Sequence, residues 1–425
     1  MSGSQPEGKP FTISKRLVWE AFEKVRSNKG AAGVDGVSVE AFEKDLKSNL
    51  YKIWNRMSSG TYFPPAVRAV EIPKPGGVGV RTLGVPTVAD RVAQAAVAMF
   101  LEPEVEKVFH PDSYGYRPGR SQLDALAVCR RRCWEYGWVV DLDIAAFFDT
   151  VPHDLVMKAV EKHTEARWVL LCVQRWLVAP LRQKDGTLAA RDRGTPQGSA
   201  ISPLLANLFL HYALDMWLAR EFPAVRFERY CDDVVVHCRT EEQARHVRDA
   251  MASRLAGLGM ELHPGKTKIV YCKDRRRDGT FPCTAFTFLG YTFRTRGAKG
   301  GGGKVFTSFL PAVSAAAKKD MGYEIRSWQI GRHTDLDMKA LARKVNQIVR
   351  GWINYCGVFC KSELVRLLRR INECLVRWLV RKYKRLRRSY RRARKKLAEI
   401  CQIYPGFFAH WRFGAKPAGW TMGAV

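Results

Sequence analysis

The chain has 425 residues, carries 71 Lys and Arg against 41 Asp and Glu for a formal charge of +30, and is 46% hydrophobic. That length suits two or three domains with true cores, and the charge is too lopsided for a surface built only for solubility, so a polyanionic partner is implied. No stretch approaches the roughly 18 continuous apolar residues of a membrane span, and MSGSQPEGKP lacks the apolar core of a signal peptide, which excludes the membrane and leaves nucleic acid inside the cell.

Apolar positions Leu17, Ala21, Phe22 and Val25 recur at helical spacing and predict an amphipathic helix over 14–26, closed by the glycine-rich loop SNKGAAGVDG. A second helix is expected over 39–57. Short alternating segments around Pro75-Gly76-Gly77 read as a hairpin within 62–86, followed by a long helix from Ala89 to about Val108. Ser121 and Asp124 form a capping box for the helix that runs through LDALAVCRRRCWEY. Next come the apolar strand WVVDLDI, a helix in LVMKAVEKH, the loop RDRGTPQGSAISP, a helix through LLANLFLHYALDMWLA, an acidic hairpin in FERYCDDVVVHC, and a helix through EEQARHVRDAMASRLAGLG. Strands and helices without strict alternation predict an α+β domain, ending near Phe293. The segment RTRGAKGGGGK reads as a linker because its glycines cannot easily hold a packed element. Beyond Ser308 helices are expected to take over from strands.

The 11 cysteines, odd in number and scattered through apolar segments, fit a reducing compartment. The pairs Cys129/Cys133 and Cys356/Cys360 place thiols one helical turn apart, a spacing that favours packing over metal binding. From Lys361 to Ile400 there are 16 Lys and Arg against 3 Glu, so nearly half the net charge sits in a tenth of the chain. Arg366, Arg370, Arg377 and Arg381 fall mostly outside the apolar stripe Leu364, Leu368, Ile371, Leu375 and Trp378. A solvated helix interleaves signs to form pairs one turn apart; this one does not, which points to a phosphate-binding face.

Chemistry concentrates in the acids. Asp232 and Asp233 lie between Phe227 and Tyr230 on one side and Val234, Val235 and Val236 on the other, which predicts a strand, a tight turn and a strand with two charges at the tip. An isolated Asp-Asp turn would be unremarkable. Upstream, strand alternation in WVVDLDI puts Asp141 and Asp143 on one face, and either could approach the tip. Asp143 is preferred because Phe148, five residues on, then starts the following turn, where a flat ring over an incoming sugar leaves no room for a 2′-hydroxyl. Three converging carboxylates are what two Mg²⁺ ions require for in-line displacement at phosphorus. The run Gly194–Ser199 is not a P-loop, but its glycines permit close backbone approach and Gln197 could hydrogen-bond a substrate. Lys74 and Arg81 flank the Pro-Gly-Gly bend; a grip on a triphosphate and a plain exposed hairpin tip fit them alike. Asp149 and Asp154 are expected to cap and support the helix that starts near His153.

The order of these pieces resembles the group II intron reverse transcriptase/maturase family over roughly residues 15 to 425. The blocks are KGAAGVDG (29–36), IPKPGG with RTLGVPTVADR (72–91), YGYRPGRS (114–121), DLDIAAFFDTVPHD (141–154), GTPQGSAISPLLAN (194–207), RYCDD (229–233), HPGKT (263–267), FLGYTF (288–293), NQIVRGWINY (346–355) and PGFFAHW (405–411). The resemblance implies a right-hand polymerase of fingers and palm, with an antiparallel palm sheet, followed by an α-helical thumb/maturase domain. The expected boundaries are an N-terminal extension at 1–61, fingers and palm at 62–293, a linker or insertion at 294–307, thumb at 308–400 and a tail at 401–425. It implies Asp143, Asp232 and Asp233 as catalytic, metal-binding acids with the Ile144 carbonyl, and Mg²⁺ as the paired ion with Mn²⁺ as its substitute. It implies nucleotide contacts at Lys74, Arg81, Phe148 and Gln197, and primer or template contacts at Lys29, Gly30, Gly33, Arg117, Tyr230, Lys266 and Gly290. Thumb contacts to RNA are expected at Arg350, Trp352, Arg366, Arg370, Arg377 and Arg381. The implied partners are an intron RNA, an RNA template with a DNA primer, deoxynucleoside triphosphates and a DNA target. The protein is expected as a monomer or homodimer in the bacterial cytoplasm, associated with the nucleoid.

Cys231, Ser199 and His263 stand where the family more often has Ala, Gly and Asn. The sequence ends at Val425 without a Cys-pair and His-rich endonuclease segment, so second-strand cleavage is not expected. Two alternatives share these motifs: a splicing cofactor whose polymerase activity is dispensable, and a domesticated enzyme of phage defence, spacer acquisition or DNA repair.

Overall fold

The computed structural model describes residues 9–73, 79–299 and 303–417. In chain order the elements begin with α1 (Lys15–Ser27), α2 (Val39–Glu43), α3 (Leu46–Ser58), β1 (Val67–Pro73), β2 (Val80–Val85), α4 (Val88–Glu106), α5 (Gln122–Glu135) and β3 (Trp138–Leu142). After these stand α6 (Phe147–Thr150), α7 (His153–Glu161), α8 (Arg167–Val178), β4 (Leu181–Arg182), β5 (Leu188–Ala189), α9 (Ser202–Leu210), a π turn (His211–Asp215) and α10 (Met216–Glu221). Then come β6 (Arg226–Tyr230), β7 (Asp233–Cys238), α11 (Glu241–Ala256), β8 (Lys268–Tyr271), β9 (Ala285–Phe288), β10 (Tyr291–Lys299) and β11 (Val305–Val313). The chain closes with α12 (Ala315–Ser327), α13 (Met338–Cys356), α14 (Lys361–Lys382), α15 (Tyr390–Ile403) and α16 (Ala409–Phe413). No helix among the described residues is long and apolar enough to cross a membrane.

Two compact units result. One comprises the residues up to Ala125 with Trp138–Ile269; the other comprises Leu126–Gly137 with the residues from Val270 on. The first is built around the sheet β6-β7-β3-β8. Strand β7 pairs antiparallel with β6, matching Tyr230 to Asp233, and with β3, matching Leu142 to Val234. Val139, Val140, Val235 and Val236 are fully buried, which is why these strands read as apolar runs rather than alternating ones. A smaller sheet, β2-β1-β4-β5, carries the expected hairpin, with Pro73 opposite Val80. The capping box forms as predicted: the Asp124 carboxylate accepts from the Ser121 backbone N–H at 2.8 Å, and the Asp124 N–H donates to Ser121 Oγ at 3.2 Å.

The second unit holds the sheet β11-β10-β9 and the five C-terminal helices. Its helical core runs through Leu364, Leu368, Ile371, Leu375 and Trp378, the stripe seen in the sequence. Asn372, buried within it, accepts at Oδ1 from His410 Nε2 and Trp411 Nε1, both at 2.8 Å, and donates to the Ala415 carbonyl at 2.9 Å. That ties the PGFFAHW block to α14.

Several expectations need correction. Of the linker or insertion expected at 294–307, the described residues are largely strand: Arg294 pairs with Leu310 and Lys299 with Val305, antiparallel. Phe293 stacks on Phe286 at 4.7 Å and Phe309 packs beside them, so aromatic burial outweighs the poor strand propensity of the glycines. Strands accordingly persist to Val313, past Ser308. The helix expected over 39–57 is broken at Lys44 and Asp45, and the one expected over 204–219 contains the π turn. Pro152, not Asp149 or Asp154, precedes α7 as its cap residue, and Asp154 instead faces Lys158 at 3.7 Å.

Candidate active site

Extending the β3/β7 register by one residue sets Asp143 opposite Asp233 at the mouth of the β6/β7 hairpin. The hairpin turns through two residues, Cys231 and Asp232, with Cys231 at φ 58°. A left-handed non-glycine residue costs on the order of 1–3 kcal/mol and persists where its surroundings over-determine it. Three carboxylates therefore meet. Burial first, then repulsion from Asp143, holds Asp232 above the usual carboxylate range, against hydrogen bonds from its backbone and from Cys231 and the pull of Arg81. Burial in the cleft, then the charges of Asp232 and Asp143, push Asp233 up to about 6, while Lys266 pulls the other way. The Asp233 side chain still opens to solvent, so a cation can reach it. Asp141, one strand pitch behind Asp143, is pushed up to about 7 by burial and then by Asp233, with Lys268 opposing. Hard oxygen donors packed so closely that they repel one another suit a divalent cation, and the residues present fit one.

Lys266, placed near the primer by motif alone, lies at the acids: its Nζ stands 3.1 Å from Asp143. His263 explains how. Its backbone N–H donates to the Asp143 carbonyl at 2.8 Å, and its ring Nδ1 accepts from Gly265 N–H at 3.2 Å, a contact that the more usual Asn can also make. Ile144 is buried and bridges to Leu262.

The GTPQG loop closes one side. Gly198 at φ 118° lets the backbone pass Gly84, whose N–H donates to the Gln197 carbonyl at 2.8 Å. Arg81 Nε donates to Gln197 Oε1, which brings two of the expected nucleotide contacts together. Phe148 in α6 is pinned to the same loop, its carbonyl accepting from Thr195 N–H at 2.7 Å, and the residue lines a cavity of about 260 Å³ with Thr82, Gly84, Arg191 and Gln197. Lys74 lies outside the described residues.

The remaining expected contacts lie in varied surroundings. Arg117 is buried, with Nε 3.0 Å from both oxygens of Glu106 and Nη1 donating to the His110 and Ser113 carbonyls at 2.7 Å, so it braces its own loop. A side chain at Gly33 would stand 2.6 Å from the Thr87 backbone and one at Gly30 would strike Arg91; these glycines let the loop lie on the start of α4, with exposed Lys29 turning at φ 45°. Tyr230 lies 6.2 Å from Tyr116, ring to ring, beside the acidic turn. In the second unit Gly290 follows Leu289 in a turn with both φ positive, as two-residue hairpin loops prefer. Arg350, Arg366, Arg370, Arg377 and Arg381 are exposed, whereas Trp352 stacks on Trp328 at 5.6 Å.

Ser199, the departure from Gly, donates its hydroxyl to Gln94 Oε1 at 2.9 Å, and Ala200 N–H joins at 3.0 Å. Gln94 reaches back to Asp90, which is buried and accepts from Tyr62 Oη at 2.6 Å and Trp176 Nε1 at 2.8 Å. Sequence reading passed over Asp90 because one acid in a helix's first turn carries no signal. Burial pushes it up to about 6 against those two donors. The native state thus keeps this proton above the unfolded value of about 4, so stability falls as pH rises from about 4 to about 6 and stays lower beyond. Asp90→Asn cannot ionise. Relative to the parent it is expected to gain up to about 3 kcal/mol between pH 4 and 7, read from urea unfolding at stepped pH.

The comparisons with known proteins bear on the family. The family described as reverse transcriptase (RNA-dependent DNA polymerase) matches residues 72–293, and the group II intron maturase-specific domain matches residues 318–397. Protein YkfC of Escherichia coli is 33% identical over 314 residues, which cover 64% of this chain and 78% of that protein. The group II intron-encoded protein LtrA of Lactococcus lactis is 30% identical over 280 residues, 65% of this chain but 45% of LtrA, so the chain spans less than half of that relative's length. A solved telomerase from Candida albicans overlays with a TM-score of 0.46 at 13% identity, over 87% of this chain and 67% of its own, too loose a likeness to add to the fold. With the acidic hairpin on the palm-like sheet, the matched polymerase segment and the maturase segment after it, the chain belongs to the group II intron reverse transcriptase/maturase family, whose polymerases are RNA-directed and use divalent metal ions.

Proposed function

We propose that this protein copies RNA into DNA with two Mg²⁺ ions held by Asp143, Asp232, Asp233 and the Ile144 carbonyl, and that it binds its intron RNA to assist splicing and retromobility. The observation that carries the reading is the β3/β7 register, which sets Asp143 across from the Asp232-Asp233 tip. Those four groups would hold the ions, which when bound would supply Lewis-acid activation of a primer 3′-hydroxyl and charge stabilisation for the departing pyrophosphate. The protein's own groups do the rest. Arg81, exposed beside Gln197 and close enough to lower the pKa of Asp232, meets the triphosphate by charge-assisted hydrogen bonds, with Lys74 as its expected partner. Gln197 orients the nucleotide. Phe148 closes over the sugar. Lys266 neutralises Asp143 until substrate and cations arrive, then is free to turn to primer or template phosphate.

The splicing role rests on the match at residues 318–397 and on the exposed arginines of α14, which suit phosphate neutralisation and RNA shape rather than base reading. An intron RNA, an RNA template with its DNA primer, deoxynucleoside triphosphates and a DNA target are the partners this reading requires. Purified protein is expected to extend a DNA primer on an RNA template with Mg²⁺ and deoxynucleotides. Failure to extend, with template binding intact, would sink the polymerase reading and favour the splicing cofactor.

A further inference from the structure

Something must hold the positive-φ turn at Cys231, because glycine is not there to make it cheap. Directly beneath it lies Arg229, fully buried in β6. Its Nη1 donates to the Cys231 carbonyl at 3.0 Å and to Asn207 Oδ1 at 2.9 Å. Its Nε and Nη2 donate to the two oxygens of Asp215 at 2.7 and 2.6 Å, and Nη2 also donates to Ser113 Oγ at 2.8 Å. A guanidinium has five N–H groups, and all are spent. Arg229 therefore has nothing left to offer substrate, and its fixed fork geometry is used entirely on the protein.

The partners converge on the turn by separate routes. Asp215, fully buried, ends the π turn that interrupts the helix through α9 and α10. The wider turn shifts the register of α10 relative to α9, and such insertions occur frequently at functional sites. Asn207, from α9, donates to the Gly115 carbonyl at 2.6 Å. Gly115 in turn presses on the turn itself, since a side chain there would stand 2.5 Å from the Cys231 nitrogen. One donor of the arginine thus ends on the backbone carbonyl immediately before Asp232.

We propose that Arg229 is a positioning residue for the metal-binding acids: locked by Asp215, it fixes the Cys231 carbonyl and thereby the aim of Asp232. This rests on the reading that Asp143, Asp232 and Asp233 hold the cations. A bulk stabilising role would move unfolding and metal binding together. Positioning instead moves metal binding in a protein that stays folded.

The test uses the full chain with two variants. Arg229→Lys keeps the charge against Asp215 but has fewer donors and no fork. Arg229→Met combined with Asp215→Leu removes both charges, so it leaves no unpaired ion and stays informative if the lysine variant unfolds. Mn²⁺ binding is measured without nucleotide by electron paramagnetic resonance of the free ion, and primer extension is titrated with Mg²⁺. Each folded variant is expected to bind Mn²⁺ more weakly and to need about 10–100-fold more Mg²⁺, the usual loss when the support of a metal ligand is removed. RNA binding of each folded variant stays near that of the parent. Parent-like Mn²⁺ affinity and Mg²⁺ dependence in a folded variant would overturn the proposal. Asp232→Asn runs alongside: if it too binds Mn²⁺ like the parent, the assignment of the acids fails instead.

Discussion

Asp232→Ala is expected to cut primer extension by about 10²–10³-fold while template binding stays within about twofold, since preorganised charge at a reacting centre is worth about that much. The electrostatics give the sign. Asp232 raises the pKa of Asp233 and is itself raised by Asp143, so these groups repel one another when no cation is bound. Deleting one of them relieves that repulsion, and stability should hold or rise. A dead enzyme that melts no lower than the parent separates lost chemistry from lost fold. The same protein in a splicing assay with its intron RNA tells whether the activities are independent: retained splicing with lost synthesis assigns RNA folding to the helical unit and polymerisation to the acids. Near-normal extension would remove Asp232 from the catalytic set.

The acids were legible because each one sits in a strongly patterned context. Val234, Val235 and Val236 are buried and WVVDL forms an interior strand, so apolar runs ending in charge carry their own signal. Between Asp141 and Asp143, which share a face, sequence preferred Asp143 only through the place of Phe148; the pairing of Leu142 with Val234 and the Lys266 contact favour it too, and these involve residues about a hundred positions away that sequence cannot bring together. The same limit hid Arg229. A lone arginine in a strand reads as a solvent-facing residue of an alternating pattern, and only the fold reveals that Ser113, Asn207 and Asp215 enclose it. The partner of Arg117 was hidden too: only the fold sets Glu106 against it. In the glycine-rich segment local propensity misled: Phe286, Phe293 and Phe309 pack one sheet face, and that burial carries the strands on through residues that would not form them alone.

Phe148→Val is expected to lower the preference for deoxy- over ribonucleotides by about 10²-fold, roughly the limit of what shape alone achieves against an added hydroxyl. Discrimination of this kind needs a ring that cannot yield, and several contacts hold this one. Ala146 at φ 46° turns the chain sharply into α6. Phe147 then points into the core, buried against Phe209 at 6.3 Å, and meets Phe148 edge-on at 5.2 Å. On the far side the Phe148 carbonyl accepts from Thr195 and the Gly194 N–H donates to the Val151 carbonyl at 2.8 Å, so loop and turn move as one piece. A side chain at Gly194 would press within 2.8 Å of the Phe148 oxygen, which makes that glycine part of the same clamp. Valine keeps the backbone and removes the far edge of the ring, so deoxynucleotide incorporation should change by only a few-fold while ribonucleotides gain. Single-nucleotide extension with dCTP and CTP on one template, compared as kcat/KM, measures the ratio. If the ratio does not move, Phe148 is a wall of the cavity and not its gate, and selection against the 2′-hydroxyl must come from another part of the loop.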